Sequence, residues 1–192
     1  MDAEDDLVRR SLSGDHSAFA RLVEMHQDAA LRVAVAMVGS GGDADDVVQD
    51  AFVKAFTRLD QFDHSRRFPA WLMGIVANEA RNRRRADGRR TALTRRLAVR
   101  VDSVADAVID PARAQEGSEL RQHLALAVAA LPDRDRDVIA LRYFAELTEA
   151  EAADSLRCPI GTVKSRTNRA LLRLRGTLSE NVRQAFGEEH RS

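Results

Sequence analysis

Cationic side chains are the clearest chemical signal in this sequence. Between Arg157 and Arg175 stand Arg157, Lys164, Arg166, Arg169, Arg173 and Arg175, with no Asp or Glu among them, although the whole chain has a formal net charge of +0. Guanidinium and ammonium groups grouped on one short element form an electrostatic footprint for nucleic acid. Ser165, Asn168 and Arg169 add the donor types that read adenine and guanine edges or grip phosphates. Covalent chemistry has no comparable signal: there is no nucleophile–base pair, and Cys158 is the only cysteine. The five histidines show no metal-ligand spacing. A binding protein without metal, cofactor or catalytic residues is expected.

These side chains need a scaffold, and local chemistry predicts one. Thr148 followed by Glu151 fits a capping box at a helix start. Leu147, Ala152, Ala153 and Leu156 give that helix an apolar side, and Pro159 stops it while suiting the start of another. In the second helix Val163, Thr167, Ala170, Leu171, Leu174 and Leu178 form a stripe of helical period. Ser165, Asn168, Arg169 and Arg173 lie opposite or beside the stripe, with Lys164 and Arg166 flanking it. Two short helices joined by a tight turn, the second basic, are the pattern of a DNA-reading helix-turn-helix. The candidate DNA contacts are Arg157, Thr162, Lys164, Ser165, Arg166, Asn168, Arg169 and Arg173. The competing reading is a solvated basic face on a packing helix.

Charge is segregated elsewhere too. Residues 81–100 hold nine arginines against Asp87, whereas Asp43, Asp45, Asp46 and Asp50 crowd residues 43–50 without a cation. Residues 102–119 carry five acids against Arg113. Blocks of opposite sign imply separate surfaces with separate partners. The polar N-terminus argues against a signal peptide, and no apolar run reaches the roughly 20 residues that cross a bilayer. A cytoplasmic, reduced protein without membrane insertion is expected.

Every segment with a clear period is helical, so the expected fold is all-α. Phe19, Leu22, Val23, His26, Ala30, Val33 and Met37 mark one amphipathic helix, ended by Gly39, Gly41 and Gly42. Asp43 can cap the next, with Val48, Ala51, Phe52, Ala55, Phe56 and Leu59 on its buried side. A third runs from Pro69 to about Arg85, anchored by Trp71, Leu72, Ile75 and Val76. Charge then replaces periodicity until Leu120, Leu124, Ala127, Val128 and Leu131 begin a second helical unit, broken at Pro132 and continued by Val138, Ile139, Leu141 and Phe144. The expected organisation is a domain at 1–86, a flexible linker at 87–116, a second domain at 117–180 ending in the helix-turn-helix, and a tail at 181–192.

Four stretches together resemble the extracytoplasmic-function (ECF) sigma factors of the sigma-70 family: FARLVEMH at 19–26, DADDVVQDAFVKAF at 43–56, FPAWLMGIVANEARNRRR at 68–85, and residues 131–175 with CPIGTVKSRTNRALLRLR. The resemblance implies two helical domains, polymerase docking through the β′ coiled coil and the β subunit, and promoter DNA as ligand. It assigns core polymerase contacts to Asp46, Gln49, Asp50 and Val53. It places the −10 element, read as melted single strand, on Phe62, Phe68, Asn78, Arg81, Asn82, Arg83, Arg84 and Arg85. In that reading Asn78 hydrogen-bonds an extruded base, Phe62 or Phe68 stacks on it, and the arginines hold phosphates. The C-terminal helix would read the −35 element. The linker would thread toward the polymerase active-site cleft, and an anti-sigma factor would be the regulatory partner. Arg157, where a small residue is usual, and Ala152, where a larger aliphatic is usual, depart from the pattern. A stand-alone helix-turn-helix regulator is the alternative, and it would need a dimerisation surface.

Overall fold

The computed structural model describes residues 3–39, 42–94 and 118–188, and all regular structure among them is helical. Helix α1 spans Ala3–Leu12, α2 His16–Val38, α3 Gly42–Thr57 and α4 Phe68–Thr94. Helix α5 spans Ser118–Ala129, α6 Asp133–Ile139, α7 Glu149–Leu156 and α8 Ile160–Glu188. The expected linker overlaps the end of α4, which stays helical to Thr94; residues 95–117 lie outside the described residues.

Local chemistry sets the ends of α2. The Asp15 carboxylate accepts from the Ser17 and Ala18 N–H groups and from the Ser17 hydroxyl. Those bonds and the Arg10 guanidinium hold this carboxyl below its usual range. At the other end Gly39 takes φ 93°, which only glycine reaches without strain, and its N–H closes on the Val35 carbonyl. Asp43 is not the cap of α3; it lies in the first turn, where its charge still meets the positive end of the helix dipole.

Helices α2, α3 and α4 pack around Leu22, Val33, Met37, Ala51, Leu72, Met73 and Val76, all at most 1 % exposed. On α3 the buried stripe is Ala44, Val47, Ala51, Phe52 and Ala55; Val48 is half-buried and Phe56 is 42 % exposed. The expected stripe was therefore turned by one position, because the small Ala44 and Ala55 let the α3 backbone approach α4 closely. Helix α1, which has no strong period, is held by buried Val8 and by a 2.6 Å contact between Glu4 and His26 Nε2. Phe62 and Phe68 are buried beside Trp71, with ring centroids 5.3–5.8 Å apart. The turn after α3 is thus an aromatic plug, and edge-to-face geometry favours it beyond burial alone.

In the C-terminal half, α5, α6 and α8 enclose Ala127, Val128, Leu131, Ile139, Ala170 and Leu174. Leu124 and Leu171, expected in the apolar stripes, are about 40 % exposed on their edges. Residues Ala140–Phe144 widen into a π turn, in which the Ala145 N–H reaches the Ala140 carbonyl at 3.2 Å. Val138, Leu141, Leu147, Ala152 and Val163 belong to the same continuous core as the N-terminal helices. The two halves therefore share a hydrophobic interior.

Two outcomes follow. Thr148→Ala removes the side-chain half of the α7 cap and is expected to cost about 1 kcal/mol, whereas Leu141→Ala at a fully buried site costs about 2–5 kcal/mol, both read by urea unfolding. Glu151 supplies the other half of that cap. Burial pushes its carboxyl up, but hydrogen bonds from Thr148 and the Arg67 charge outweigh this and leave it below the ordinary 4.5. A carboxylate lowered on folding contributes stability that is complete above its unfolded value and is lost as pH falls through its folded one. Thermal melts on either side of pH 4.5 should show less acid destabilisation in Glu151→Gln than in the parent.

Candidate nucleic-acid interface

The helix-turn-helix is built as its local chemistry dictates. The Thr148 N–H donates to Glu151 Oε2 at 2.7 Å, and the Glu151 N–H donates to Thr148 Oγ1 at 3.2 Å. Helix α7 ends at Arg157, which takes φ 51° and ψ 51°, a left-handed conformation that costs a side chain more than a glycine. The Cys158 N–H closes on the Ala153 carbonyl at 3.0 Å, and the Pro159 carbonyl receives the Thr162 N–H at 2.9 Å to start α8.

Helix α8 buries Val163, Thr167, Ala170 and Leu174 and turns its opposite face outward. Lys164, Ser165, Asn168 and Arg169 are exposed there; Thr162 and Arg166 are half-buried at the margins. Arg157 is exposed in the turn. Arg173 is diverted: it donates to Asp135 of α6, a carboxylate only 4 % exposed, while Arg169 lies 3.9 Å from the same group. Burying Asp135 demands a cation, so Arg173 locks α8 onto α6. Leu172, 69 % exposed, shares the outer face with Ser165 and Asn168 and was absent from the expected contacts. Its outward position follows from the same wheel that places Asn168.

On α3, Asp46, Gln49, Asp50 and Val53 are all exposed, and Val53 is an apolar point of 58 % exposure among acids. Phe56 extends the apolar surface one turn further. Asp46 is not isolated: Arg83 of α4 donates to it at 2.9 Å and to Asp43 at 2.8 Å. Lys54 pairs with Glu79 and ties α3 to α4 a second time.

Along α4 the expected −10 residues divide. Asn78, Asn82 and Arg85 are exposed. Phe62 and Phe68, at 5 % and 1 % exposure, present no free ring face, so neither can stack on an extruded base as they stand. Arg83 is held by Asp43 and Asp46. Arg84 donates to Asp137 of α6 at 2.8 Å and to the Met37 carbonyl at 3.2 Å. Arg81 donates to the Ser155 carbonyl of α7 at 3.3 Å, and burial lowers its pKa from the ordinary guanidinium value.

Sequence reasoning missed this meeting of the two halves. Arg66 reaches Asp154 of α7 at 2.9 Å and Arg67 reaches Glu151 at 3.2 Å. Gly74 of α4 faces Ser155, where a Cβ would lie 3.6 Å from the serine Cβ. Between them, Arg66, Asp154, Arg157, Cys158 and Pro159 line an open cleft of about 480 Å³. The exposed ion pairs contribute about 0–1 kcal/mol each; the buried apolar residues shared by the halves supply the larger part. Partners more than 80 residues apart leave no periodic trace in a sequence. The only available signal was complementary charge, with Arg66 and Arg67 in the turn and three acids on α7.

No group of three or more His, Cys, Asp or Glu side chains among the described residues could hold a metal, and no helix is long and apolar enough to cross a membrane. Residues 22–90 match the family described as Sigma-70 region 2, and residues 127–176 match Sigma-70, region 4. The chain is 33 % identical over 179 residues to the ECF RNA polymerase sigma factor SigW of Bacillus subtilis, covering 90 % of this chain and 95 % of that protein. It is 36 % identical over 169 residues to the ECF RNA polymerase sigma-E factor of Escherichia coli K12, covering 85 % and 88 %. Among solved structures it resembles CnrH in complex with the cytosolic domain of CnrY, with a TM-score of 0.68, 29 % identity, and 93 % and 99 % of the two chains covered. It also resembles the sigma factor RpoE bound to the anti-sigma factor NepR of Bartonella quintana, with a TM-score of 0.70, 26 % identity, and 84 % and 96 % covered. Both sigma-70 regions stand in order on helices that place their charged faces outward, and the chain belongs to the ECF RNA polymerase sigma factors of the sigma-70 family.

Proposed function

We propose that this sigma factor recruits core RNA polymerase through α3 and selects promoters through α4 and α8, with no covalent chemistry of its own. Asp46, Gln49, Asp50 and Val53, extended by Phe56, form the docking patch for the basic β′ coiled coil. Asn78, Asn82 and Arg85 contact the melted −10 strand, with Arg81, Arg83 and Arg84 reaching phosphates once their present carboxylate and carbonyl partners are exchanged. Lys164, Ser165, Asn168 and Arg169 read the −35 major groove, flanked by Arg157, Thr162 and Arg166. Arg173 serves chiefly to hold α8 on α6. The protein works in the cytoplasm, where polymerase and promoter DNA are.

The observation that carries this reading is the face of α8. It exposes Lys164, Ser165, Asn168 and Arg169 together, while Val163, Thr167, Ala170 and Leu174 seal the opposite side. A solvated packing helix needs no such grouping of amide, hydroxyl and guanidinium donors without a single acid. An anti-sigma partner is supported by the complexes formed by CnrH and RpoE, the structural relatives.

Two substitutions separate the surfaces. Asp50→Arg is expected to abolish association with core polymerase, measured by co-purification, because it places a cation against a basic partner. Arg169→Ala should leave that association intact and weaken −35 DNA binding of the holoenzyme by about 1–3 kcal/mol, measured by competition for a promoter fragment. Run-off transcription with core enzyme is the overall test. The parent protein's failure to direct initiation from any promoter it enriches, or its failure to bind core, would overturn the reading.

A further inference from the structure

We infer that the free chain latches itself shut, using arginines of the −10 surface as the catch, so that opening precedes promoter binding. The inference rests on the sigma-factor reading above.

The catch is visible residue by residue. Arg81 and Arg84 of α4 and Arg66 and Arg67 of the preceding turn would face DNA phosphates in an open complex. Here each is taken by the C-terminal half: Arg81 by the Ser155 carbonyl, Arg84 by Asp137, Arg66 by Asp154 and Arg67 by Glu151. Asp133 adds a second carboxylate 3.3 Å from Arg84. The acids of α6 and α7 occupy the positions that phosphates would take, held against α4 by the close approach of Gly74 to Ser155.

The closed arrangement and the promoter have incompatible geometries. The −10 and −35 elements lie about 25 base pairs apart by name, or roughly 85 Å along B-DNA at 3.4 Å per pair. Helix α7, which leads into the −35 reader, here touches α4, the −10 reader. A closed particle of this length has a radius of gyration of about 16 Å, too small to meet both elements at once. Residues 95–117 have a contour reach of about 80 Å, enough for the halves to separate while remaining joined.

The latch is also weak where it must release. Arg66–Asp154 and Arg67–Glu151 are exposed pairs, subject to screening by salt and to competition from polyanions. Only Asp137, almost fully buried, needs a replacement for its cation when the halves part. Opening hydrates it, which removes that need. The exposed α3 patch takes no part in the closure, so core polymerase can dock on the closed form and pull it open.

A cross-link tests the latch directly. A Cβ at position 74 would lie 3.6 Å from that of Ser155, within the range of a disulfide. The full chain carrying Gly74→Cys and Ser155→Cys, in a Cys158→Ser background, is expected to form an intramolecular disulfide with mild oxidant, read by gel mobility. The oxidised form should still bind core polymerase but lose at least about tenfold of its run-off transcription, regained on adding dithiothreitol; ~1.4 kcal/mol corresponds to that factor. Asp154→Arg, at an exposed position, should slow cross-linking several-fold at low salt, and added core polymerase should slow it as well. Absence of the cross-link, full transcription by the locked form, or a cross-linking rate unchanged by Asp154→Arg would each overturn the latch. If the Cys158→Ser parent itself directs no transcription with core enzyme, the sigma-factor reading fails instead; cross-linking is still read independently on the gel.

Discussion

Arg84 is the joint on which this arrangement turns. Its guanidinium reaches the Met37 carbonyl at the end of α2, the Asp137 carboxylate of α6 and the Asp133 carboxylate beside it. Asp137 is 4 % exposed, and a carboxylate so far from water is tolerable only against a cation. The α6 segment therefore seats on the N-terminal half wherever Arg84 can reach, and apolar Val138 and Leu141 follow it into the shared core. Hydrophobic burial supplies most of the energy, and the ion pair fixes the register in which it is collected.

A similar economy links surfaces with different tasks. Arg83 belongs to the −10 face yet clasps Asp43 and Asp46 of the polymerase-docking helix, and Lys54 and Glu79 repeat the tie two turns on. Helices α3 and α4 consequently behave as one rigid piece. In the C-terminal half, Asp135 performs the matching service by holding Arg173 and standing near Arg169. Charges that bind partners in trans are restrained in cis, which keeps long flexible side chains near their working positions and lowers the entropy lost on binding.

Much of this was legible in the sequence because it rests on local rules. The Thr148–Glu151 box, the Gly39 stop, the α8 stripe of Val163, Thr167, Ala170 and Leu174, and the outward face with Asn168 all follow from spacing within a single helix. The errors share a physical origin in packing between elements. Phe62 and Phe68 were read as available to a base, but the empty volume under the α3–α4 turn draws large aromatics inward. Val47 rather than Val48 centres the α3 stripe, since alanines on either side set how closely the helices approach. Helix α1 was missed because its apolar content is two residues deep, and its contact with His26 spans 22 positions. The union of the two halves left no signal beyond charge complementarity.

The π turn at Ala140–Phe144 sets a constraint of another kind. Such a turn houses one residue more than the α-helical turn it replaces. Excising a single residue there would rewind the segment and swing everything after it by about 100°. Leu147, now fully buried, would be carried out of the interior, and the helix-turn-helix would leave the body along a different bearing. Chain length across these five positions, more than their side-chain identity, aims the reading head.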